Sequence, residues 1–260
     1  MIGDLFTTYF GWNPALHALI GGLITSLLNL LGATPILFIK RYPRIMIYSG
    51  LGFAAGVMLA ASFTSLILPG LEYGGLLPVI VGIFLGAFTV SLIDKILPHL
   101  HIIKGREGPS SKNLKAAWLF VIAITIHNMP EGFAVGVGFG SGDIASAIAL
   151  ALAIGFQNIP EGLSVGFSLI SVNNYSRLKA YIISTLSGFV EAPLAILGAY
   201  LTSLSLMLLP YFMGFAAGAM IFVVSDEIIP ETHSEGKERV ATYSLIIGLV
   251  LMLTLDIFLS

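Results

Sequence analysis

The sequence predicts an all-α, polytopic membrane protein: one domain over residues 1–260, with eight transmembrane helices. Of the 260 residues, 57% are hydrophobic and 10% are charged, and the mean hydropathy is +0.96, whereas soluble domains carry about 25% charged residues. Apolar runs of about 20 residues, long enough to cross a hydrocarbon layer of roughly 30 Å, recur along the chain. There is no cysteine, which excludes disulfides, thiolate metal ligands and thiol catalysis.

Turn residues and charges mark the ends of the predicted spans. The first four spans end at KRYPR, at GLEYGG, at a long loop of residues 98–115 and at GSGD. The next three end at SVNNYSRLK, at a short hydrophobic turn before Pro210 and at ETHSEGKER. The predicted spans cover residues 14–39, 45–69, 75–97, 116–139, 144–170, 180–205, 208–230 and 240–259.

The basic residues predict the orientation in the membrane. All 12 Lys and Arg fall in or beside the first, third, fifth and seventh connections. Because positively charged loops remain on the cytoplasmic side, we expect these connections, including the loop 98–115, inside the cell and both termini outside. The start, MIGDLFTTYF, lacks the basic region of a signal peptide, so we expect the N-terminus to be retained. The expected location is the cell membrane.

Two spans nearly repeat each other. From Gly52 the chain reads GFAAGVMLAASFTSLILPGLE, and from Gly214 it reads GFAAGAMIFVVSDEIIPETH. These segments would cross the membrane in opposite directions, which predicts an inverted repeat of spans 1–3 and spans 6–8 around the central spans 4 and 5. Small-residue packing faces also make helices resemble one another, but five consecutive identities favour a repeat.

Spans four and five carry a second near-repeat, HNMPEG at 127–132 and QNIPEG at 157–162. In each copy the first residue and the glutamate are four apart, so they lie on one helical face, with an asparagine between them. The proline lacks an amide hydrogen and frees a carbonyl in the preceding turn, which at membrane depth needs a partner or a lined cavity. Span six adds Glu191 before Pro193.

These polar groups predict a metal site. An ionised group at the centre of a membrane helix costs about 2.5–3.5 kcal/mol, and a divalent cation bound among three carboxylates would compensate their charge. One imidazole, three carboxylates and three amides suit Zn²⁺, Fe²⁺ and Mn²⁺ and disfavour Cu⁺, whereas oxygen ligands alone would suit Mg²⁺ or Ca²⁺. A single buried His or Glu also fits a structural hydrogen bond, but two copies in register favour function. The predicted metal ligands are His127, Asn128, Glu131, Gln157, Asn158, Glu161 and Glu191.

With these motifs the chain resembles the ZIP (Zrt/Irt-like) family of divalent metal transporters, in particular its prokaryotic GufA-like branch. The second-span stretch GVMLAASFTSLILPG is also similar to that family. The resemblance implies an elevator-like or rocking homodimer that carries a divalent transition metal toward the cytoplasm. The metal would be the substrate, Zn²⁺ first and Cd²⁺, Fe²⁺ or Mn²⁺ as alternatives. No cofactor and no nucleic-acid partner is expected.

The resemblance also assigns roles to residues. It implies two adjacent metal sites bridged by Glu131 and Glu161, the first completed by a His and a Gln and the second by two Asn and a Glu. The first site would comprise His127, Glu131, Gln157 and Glu161, and the second Asn128, Glu131, Asn158, Glu161 and Glu191. Transport-pathway residues would be Met58, Ser65, Glu72, Asp94, Asp226 and Glu227. For the four acidic residues of this set, an ordinary solvated charge at a helix end is an equal alternative. Two loop histidines, His99 and His101, are candidates to collect exiting metal, although two histidines that flank a helix end are more often simply solvated.

Two positions depart from the family pattern. Asn158 stands where some relatives have Asp, which weakens the second site by one negative charge. Gln157 stands where many zinc transporters have His, which leaves strict zinc selectivity open.

Three alternatives remain. An intramembrane metalloenzyme would use a buried His and Glu to activate water, but zinc proteases show HExxH, whereas this chain has HNxxE and no second His on that face. An ion-coupled transporter of a small organic solute would also have inverted repeats. A metal channel would differ from a carrier in saturation and voltage dependence.

Overall fold

The computed structural model describes residues 7–9, 11–39, 44–101, 105–107, 116–173, 175–233, 236 and 238–259. Long helices make up nearly all of this part, which confirms the predicted all-α class. The helices α1 to α4 are Pro14–Ala33, Arg44–Ala61, Leu68–Gly74 and Leu76–Ile96, and α5 to α8 are Ala116–Ser141, Ile144–Asn173, Arg177–Gly188 and Glu191–Leu204. The helices α9 to α11 are Leu209–Val223, Ile229–Thr232 and Glu238–Leu259, and the strands β1 and β2 are His99–His101 and Gly105–Glu107.

Shorter helical segments extend these elements. A 3₁₀ turn, Thr34–Leu37, follows α1, and another, Leu206–Leu208, precedes α9. A π-helical segment, Ser62–Ile67, joins α2 to α3, and a second one, Val224–Ile228, joins α9 to α10. Spans two and seven are therefore continuous rods with a widened turn in the middle.

Local sequence explains where several helices begin and end. The Asn13 side chain accepts a hydrogen bond from the Leu16 amide at 3.2 Å and caps α1, with Pro14 in its first turn. Ser176 caps α7 in the same way. Gly75 and Gly142 have φ values of 76° and 93°, which glycine adopts readily, and they separate α3 from α4 and α5 from α6.

Seven helical segments of the described chain are long and apolar enough to cross a membrane, and α5 is not among them. The continuous part of α5 whose side chains are described, residues 121–141, contains His127, Asn128 and Glu131, which lower its hydropathy. The whole helix has 26 residues, which is long enough to cross a membrane. The multi-pass class is thus supported, and the count of eight spans remains a prediction.

The structure differs from the sequence prediction in the sixth segment and in the loop 98–115. The sixth predicted segment, 180–205, is divided into α7 and α8, because Pro193 has no amide hydrogen to bond a carbonyl of the preceding turn. In the predicted loop 98–115, β1 and β2 pair as antiparallel strands, with His99 opposite Glu107. The other residues of that loop, 102–104 and 108–115, lie outside the described part.

The helices form two bundles. One contains α2, α3, α4, α9, α10 and α11, where α9 packs along α4 and α11 along α2. The other contains α1, α5, α6, α7 and α8, where α1 packs on α6 and α8, and α5 on α8. The bundles meet chiefly where α2 contacts α6 and α9 contacts α5.

Glycines bring the paired helices of the first bundle into backbone contact. A Cβ atom on Gly56 of α2 would overlap the Leu245 carbonyl of α11, and one on Gly218 of α9 would overlap the Ile83 carbonyl of α4. Both helix pairs therefore require glycine at their crossing points.

These contacts recur at a fixed interval. Gly218 lies 162 residues after Gly56, and Leu245 lies 162 residues after Ile83. Each π-helical segment begins six residues after its glycine. The packing of span two on span eight thus has the same register as that of span seven on span three, which supports the inverted repeat; the repeat itself remains a prediction.

The outer faces of α4 and α11 are apolar and exposed. Phe84 and Phe88 on α4, and Ile247 and Phe258 on α11, are all more than half exposed. Large apolar surfaces of this kind face lipid or another subunit in a membrane protein.

Candidate metal centre

The predicted metal ligands lie on α5, α6 and the first turn of α8, where these helices cross in the second bundle. Six of the seven are buried and His127 is partly exposed. Gly132 permits this crossing, because a Cβ atom there would meet the Glu191 backbone. The sequence therefore brings two copies of one motif and a third carboxylate into a single buried cluster.

The two motif copies are joined by hydrogen bonds between amides and carboxylates. Gln157 Nε2 on α6 donates to Glu131 Oε1 on α5 at 2.6 Å. Asn158 Nδ2 donates to Glu191 Oε1 at 2.8 Å and to the Thr25 carbonyl of α1 at 3.3 Å. Each amide nitrogen thus binds a carboxylate of another helix.

Asn128 lies between the carboxylates of Glu161 and Glu191. In one orientation its amide nitrogen donates to Glu161 Oε1 at 2.7 Å and to the Ile124 carbonyl at 3.0 Å. The other orientation gives only long contacts, 3.3 Å to Glu191 Oε1 and 3.5 Å to the Ser187 carbonyl. The first orientation has the better geometry, and in it all three glutamates accept a hydrogen bond from an amide of the two motifs.

Part of the hydrogen-bonding capacity of this cluster is unused. Four buried oxygens of the cluster accept no hydrogen bond from the residues that the structure describes. Buried polar atoms without a partner are rare and costly, and metal coordination is one way to satisfy them. These atoms are Glu131 Oε2, Gln157 Oε1, Asn158 Oδ1 and Glu191 Oε2.

Among the described residues, carboxylates and imidazole alone do not form a metal site. Within the described ranges, there is no group of three or more His, Asp or Glu side chains close enough to one another to hold a metal ion. Any coordination shell in this arrangement therefore includes amide oxygens of Asn or Gln.

Glu191 lies at the break in span six. It is the first residue of α8, directly after the turn that follows Gly188. The amide end of a helix carries a partial positive charge that stabilises a carboxylate, so the division of span six gives Glu191 a favourable position in an apolar environment.

His127 binds a different partner from the one that its spacing predicts. The spacing places it on one face with Glu131, but its Nε2 hydrogen-bonds to Glu227 Oε2 in the π-helical segment before α10. Glu161 and Glu231 are the other carboxylates that interact with it electrostatically. His127 therefore connects the cluster to the first bundle.

Comparison with known proteins identifies the family. Residues 101–256 match the family described as ZIP Zinc transporter. The chain is 40% identical to the zinc transporter ZIPB of Bordetella bronchiseptica, over 92% of this chain and 80% of that protein.

The chain belongs to the ZIP zinc transporter family. It is also 38% identical to the zinc transporter GufA of Myxococcus xanthus, over 92% of this chain and 99% of the relative. With the zinc transporter ZIP11 of Bos taurus it shares 33% identity, over 95% and 98% of the two chains. The resemblance to a GufA-like ZIP protein is confirmed.

The predicted pathway residues of this ZIP chain lie in different environments. Ser65 lines a small cavity of about 30 Å³ together with Asp143 and Met213. Met58 is buried in the core, and Glu72 is exposed on α3 and does not line that cavity.

The acidic residues of span seven point in different directions. Asp226 is exposed, whereas Glu227 is buried against His127. The wider π-helical turn thus directs Glu227 toward the predicted metal ligands.

The two loop histidines of this ZIP chain lie in strand β1. His99 is 1% exposed, so it is not a solvated helix-end residue. Its Nδ1 lies 2.8 Å from the Leu97 carbonyl, and its Nε2 lies 3.9 Å from Asp94 Oδ1. Asp94 and His99, predicted separately, are therefore neighbours, and His101 ends the strand.

Several polar residues near the site were not predicted from the sequence. Thr25 on α1 contacts Glu191 through its side chain, and Asn29 lies one turn further along α1. Asp256 accepts a long hydrogen bond, 3.5 Å, from Ser65, and Glu231 lies near His127. The four-residue spacing of Thr25 and Asn29 within an apolar span was the one available signal.

Proposed function

We propose that this protein transports divalent transition-metal ions across the cell membrane, with Zn²⁺ as the first substrate and Cd²⁺, Fe²⁺ and Mn²⁺ as alternatives. The observation that carries this proposal is the set of four buried oxygens without hydrogen-bond partners, which belong to four of the seven predicted ligands. The relatives are named zinc transporters, which agrees with it.

The donor types support a borderline metal rather than a hard one. His127 supplies an imidazole, and the remaining predicted ligands are carboxylates and amides. Zn²⁺ accepts both nitrogen and oxygen ligands. Gln157, in place of a second imidazole, lowers the preference for Zn²⁺ over Mn²⁺ and Fe²⁺.

We also propose two adjacent metal positions that share Glu131 and Glu161. Gln157 bonds Glu131, and Asn128 bonds Glu161 in its better orientation, so amides border both bridging carboxylates. The second position would use the oxygens of Asn128, Asn158 and Glu191.

Transport requires that the site open to one side at a time, and the two bundles supply the parts for such a motion. The ligands lie on the second bundle, and Glu227 reaches His127 from the first. An apolar cavity of about 340 Å³, lined by Pro130 and Phe133 of α5 and by Phe212 and Phe215 of α9, lies at the bundle boundary. We propose that the second bundle moves against the first in an elevator-like or rocking motion and that the His127–Glu227 bond breaks on the way.

The proposed direction is toward the cytoplasm, with both termini outside the cell. We further propose a homodimer in the cell membrane, formed through the exposed apolar face of α4 or α11. In this proposal the metal ion is the substrate and not a cofactor.

Metal binding tests the proposal against the two other classes of function. We expect Zn²⁺ or Cd²⁺ to raise the unfolding temperature of the purified protein in detergent, because a ligand that binds only the folded state stabilises it. Glu161→Gln should remove this shift, and Glu238→Gln, at the start of α11, should keep it. A transporter of organic solutes would show no metal-dependent shift, and an intramembrane metalloenzyme would show the shift without ion uptake into liposomes.

A further inference from the structure

Span one carries a buried amide beside the metal ligands. Asn29 on α1 is 2% exposed, and its Oδ1 accepts no hydrogen bond from the described residues. Its Nδ2 has one long contact, 3.5 Å, to the Ser184 carbonyl. A buried carboxamide with so little hydrogen bonding is destabilising unless it has another role.

Two glycines make room for this side chain. A Cβ atom on Gly162 would overlap Asn29 Oδ1, and one on Gly188 would overlap Asn29 Nδ2. Gly162 directly follows Glu161, and Gly188 ends α7 just before Glu191. The amide oxygen therefore points at the backbone of the α6 motif rather than at lipid.

The preceding turn of α1 touches the predicted ligands directly. The Thr25 carbonyl accepts a hydrogen bond from Asn158 Nδ2 at 3.3 Å, and the Thr25 side chain contacts Glu191. Asn29 follows Thr25 by four residues, about one helical turn or 5–6 Å along α1. In the predicted orientation α1 runs inward, so Asn29 lies on the cytoplasmic side of this contact.

Asn29 and Glu191 are also counterparts in the predicted repeat. They are 162 residues apart, as are Gly56 and Gly218. A Cβ on Gly162 of one motif would meet Asn29, as a Cβ on Gly132 of the other would meet Glu191. Span one thus carries an amide where span six carries a carboxylate.

We propose that Asn29 Oδ1 is a further oxygen ligand of the transported cation. The cation would contact this oxygen after it leaves Glu191, on the cytoplasmic side of that residue. The inference rests on the proposed function. A neutral amide binds a divalent cation more weakly than a carboxylate does, so this contact favours passage rather than retention of the ion. The two counterparts would then differ in charge, so that the cation binds tightly at Glu191 and weakly at Asn29.

The absence of native cysteine allows a direct test of contact. In Asn29→Cys, a bound Cd²⁺ would acquire a thiolate ligand, since soft thiolates favour such ions. We expect an ultraviolet thiolate-to-Cd²⁺ charge-transfer band that saturates at one Cd²⁺ per added thiol and disappears when Glu161→Gln is also introduced. Ala18→Cys, buried on the same helix and about three turns earlier, should give no band.

The outcomes separate the two proposals. A folded Asn29→Cys variant that binds Cd²⁺ without the band overturns the role of Asn29 and leaves metal transport intact. If neither this variant nor the unaltered protein binds Cd²⁺, the proposed function fails. If Asn29→Cys does not fold, Asn29→Asp is the deciding variant. We expect it to bind Zn²⁺ about tenfold more tightly and to take Zn²⁺ up more slowly. A Zn²⁺ affinity within about twofold of that of the unaltered protein would contradict the proposal.

Discussion

Glu131 and Glu161 hold the same place in the two motif copies but have different neighbours. Glu131 accepts a hydrogen bond from Gln157. Glu161 accepts one from Asn128 in its better orientation and interacts electrostatically with His127. The two carboxylates are therefore positioned by different groups, although their local sequences are nearly identical.

Replacing Glu131 with Gln removes a negative charge while retaining the side-chain volume. We expect Zn²⁺ affinity to fall by about 100-fold or more, because a neutral amide replaces a bridging carboxylate. Equilibrium binding of radioactive zinc to purified protein measures the change. Wild-type affinity in this variant would exclude Glu131 as a ligand.

Asn158→Asp adds a carboxylate where a buried amide oxygen has no hydrogen-bond partner among the described residues. We expect the second metal position to bind about tenfold more tightly or more, since the added charge attracts the cation. Metal stoichiometry at low free Zn²⁺ is the measurement, and Asn13→Asp at the exposed α1 cap is the matched control. Unchanged stoichiometry and affinity would argue against a second position.

At the scale of residues, the sequence predicted which side chains lie together in the cluster, but it did not predict every hydrogen bond between them and the rest of the protein. The duplicated motif and Glu191 predicted one cluster, and in the structure Gln157 bonds Glu131 and Asn158 bonds Glu191. It could not predict the partner of His127, because that partner depends on how a π-helical turn in a distant span orients its acidic residues.

At the scale of elements, the glycine crossings of α2 with α11 and of α9 with α4 have matching registers. Gly56→Ala and Gly218→Ala should each lower the unfolding temperature by about 3–10 °C, because overpacking costs about 1–3 kcal/mol. Gly138→Ala is the matched control, since its new Cβ would meet only ordinary contacts from 3.4 Å outward. Thermal unfolding in detergent measures all three, and equal stability of the three variants would contradict the role of the crossings.

The break in span six and the β1–β2 pair were not predicted. A proline three residues into α8 was visible in the sequence, but prolines also occur inside continuous membrane helices, as Pro130 and Pro160 do here. Local sequence therefore leaves open whether a proline bends or divides a helix. At the break in span six, Glu191 packs against Gly132, and this contact between distant helices cannot be read from the local sequence.

At the scale of the whole molecule, the orientation is the prediction with the widest consequences. Ser176 and Ser203 are exposed and lie at opposite ends of span six. In this cysteine-free chain, Ser203→Cys should react in intact cells with a membrane-impermeant maleimide, and Ser176→Cys only after the membrane is opened. The opposite labelling pattern would reverse the proposed direction of transport.

Ion uptake into liposomes tests the central claim most directly. Purified protein is reconstituted, and uptake of Zn²⁺, Cd²⁺, Fe²⁺ and Mn²⁺ is followed for the unaltered chain, for Glu161→Gln and for the control Glu238→Gln at the start of α11. We predict saturable uptake that is lost in Glu161→Gln and retained in Glu238→Gln. Wild-type uptake by the correctly folded Glu161→Gln variant would contradict transport through the cluster of the two motifs and Glu191.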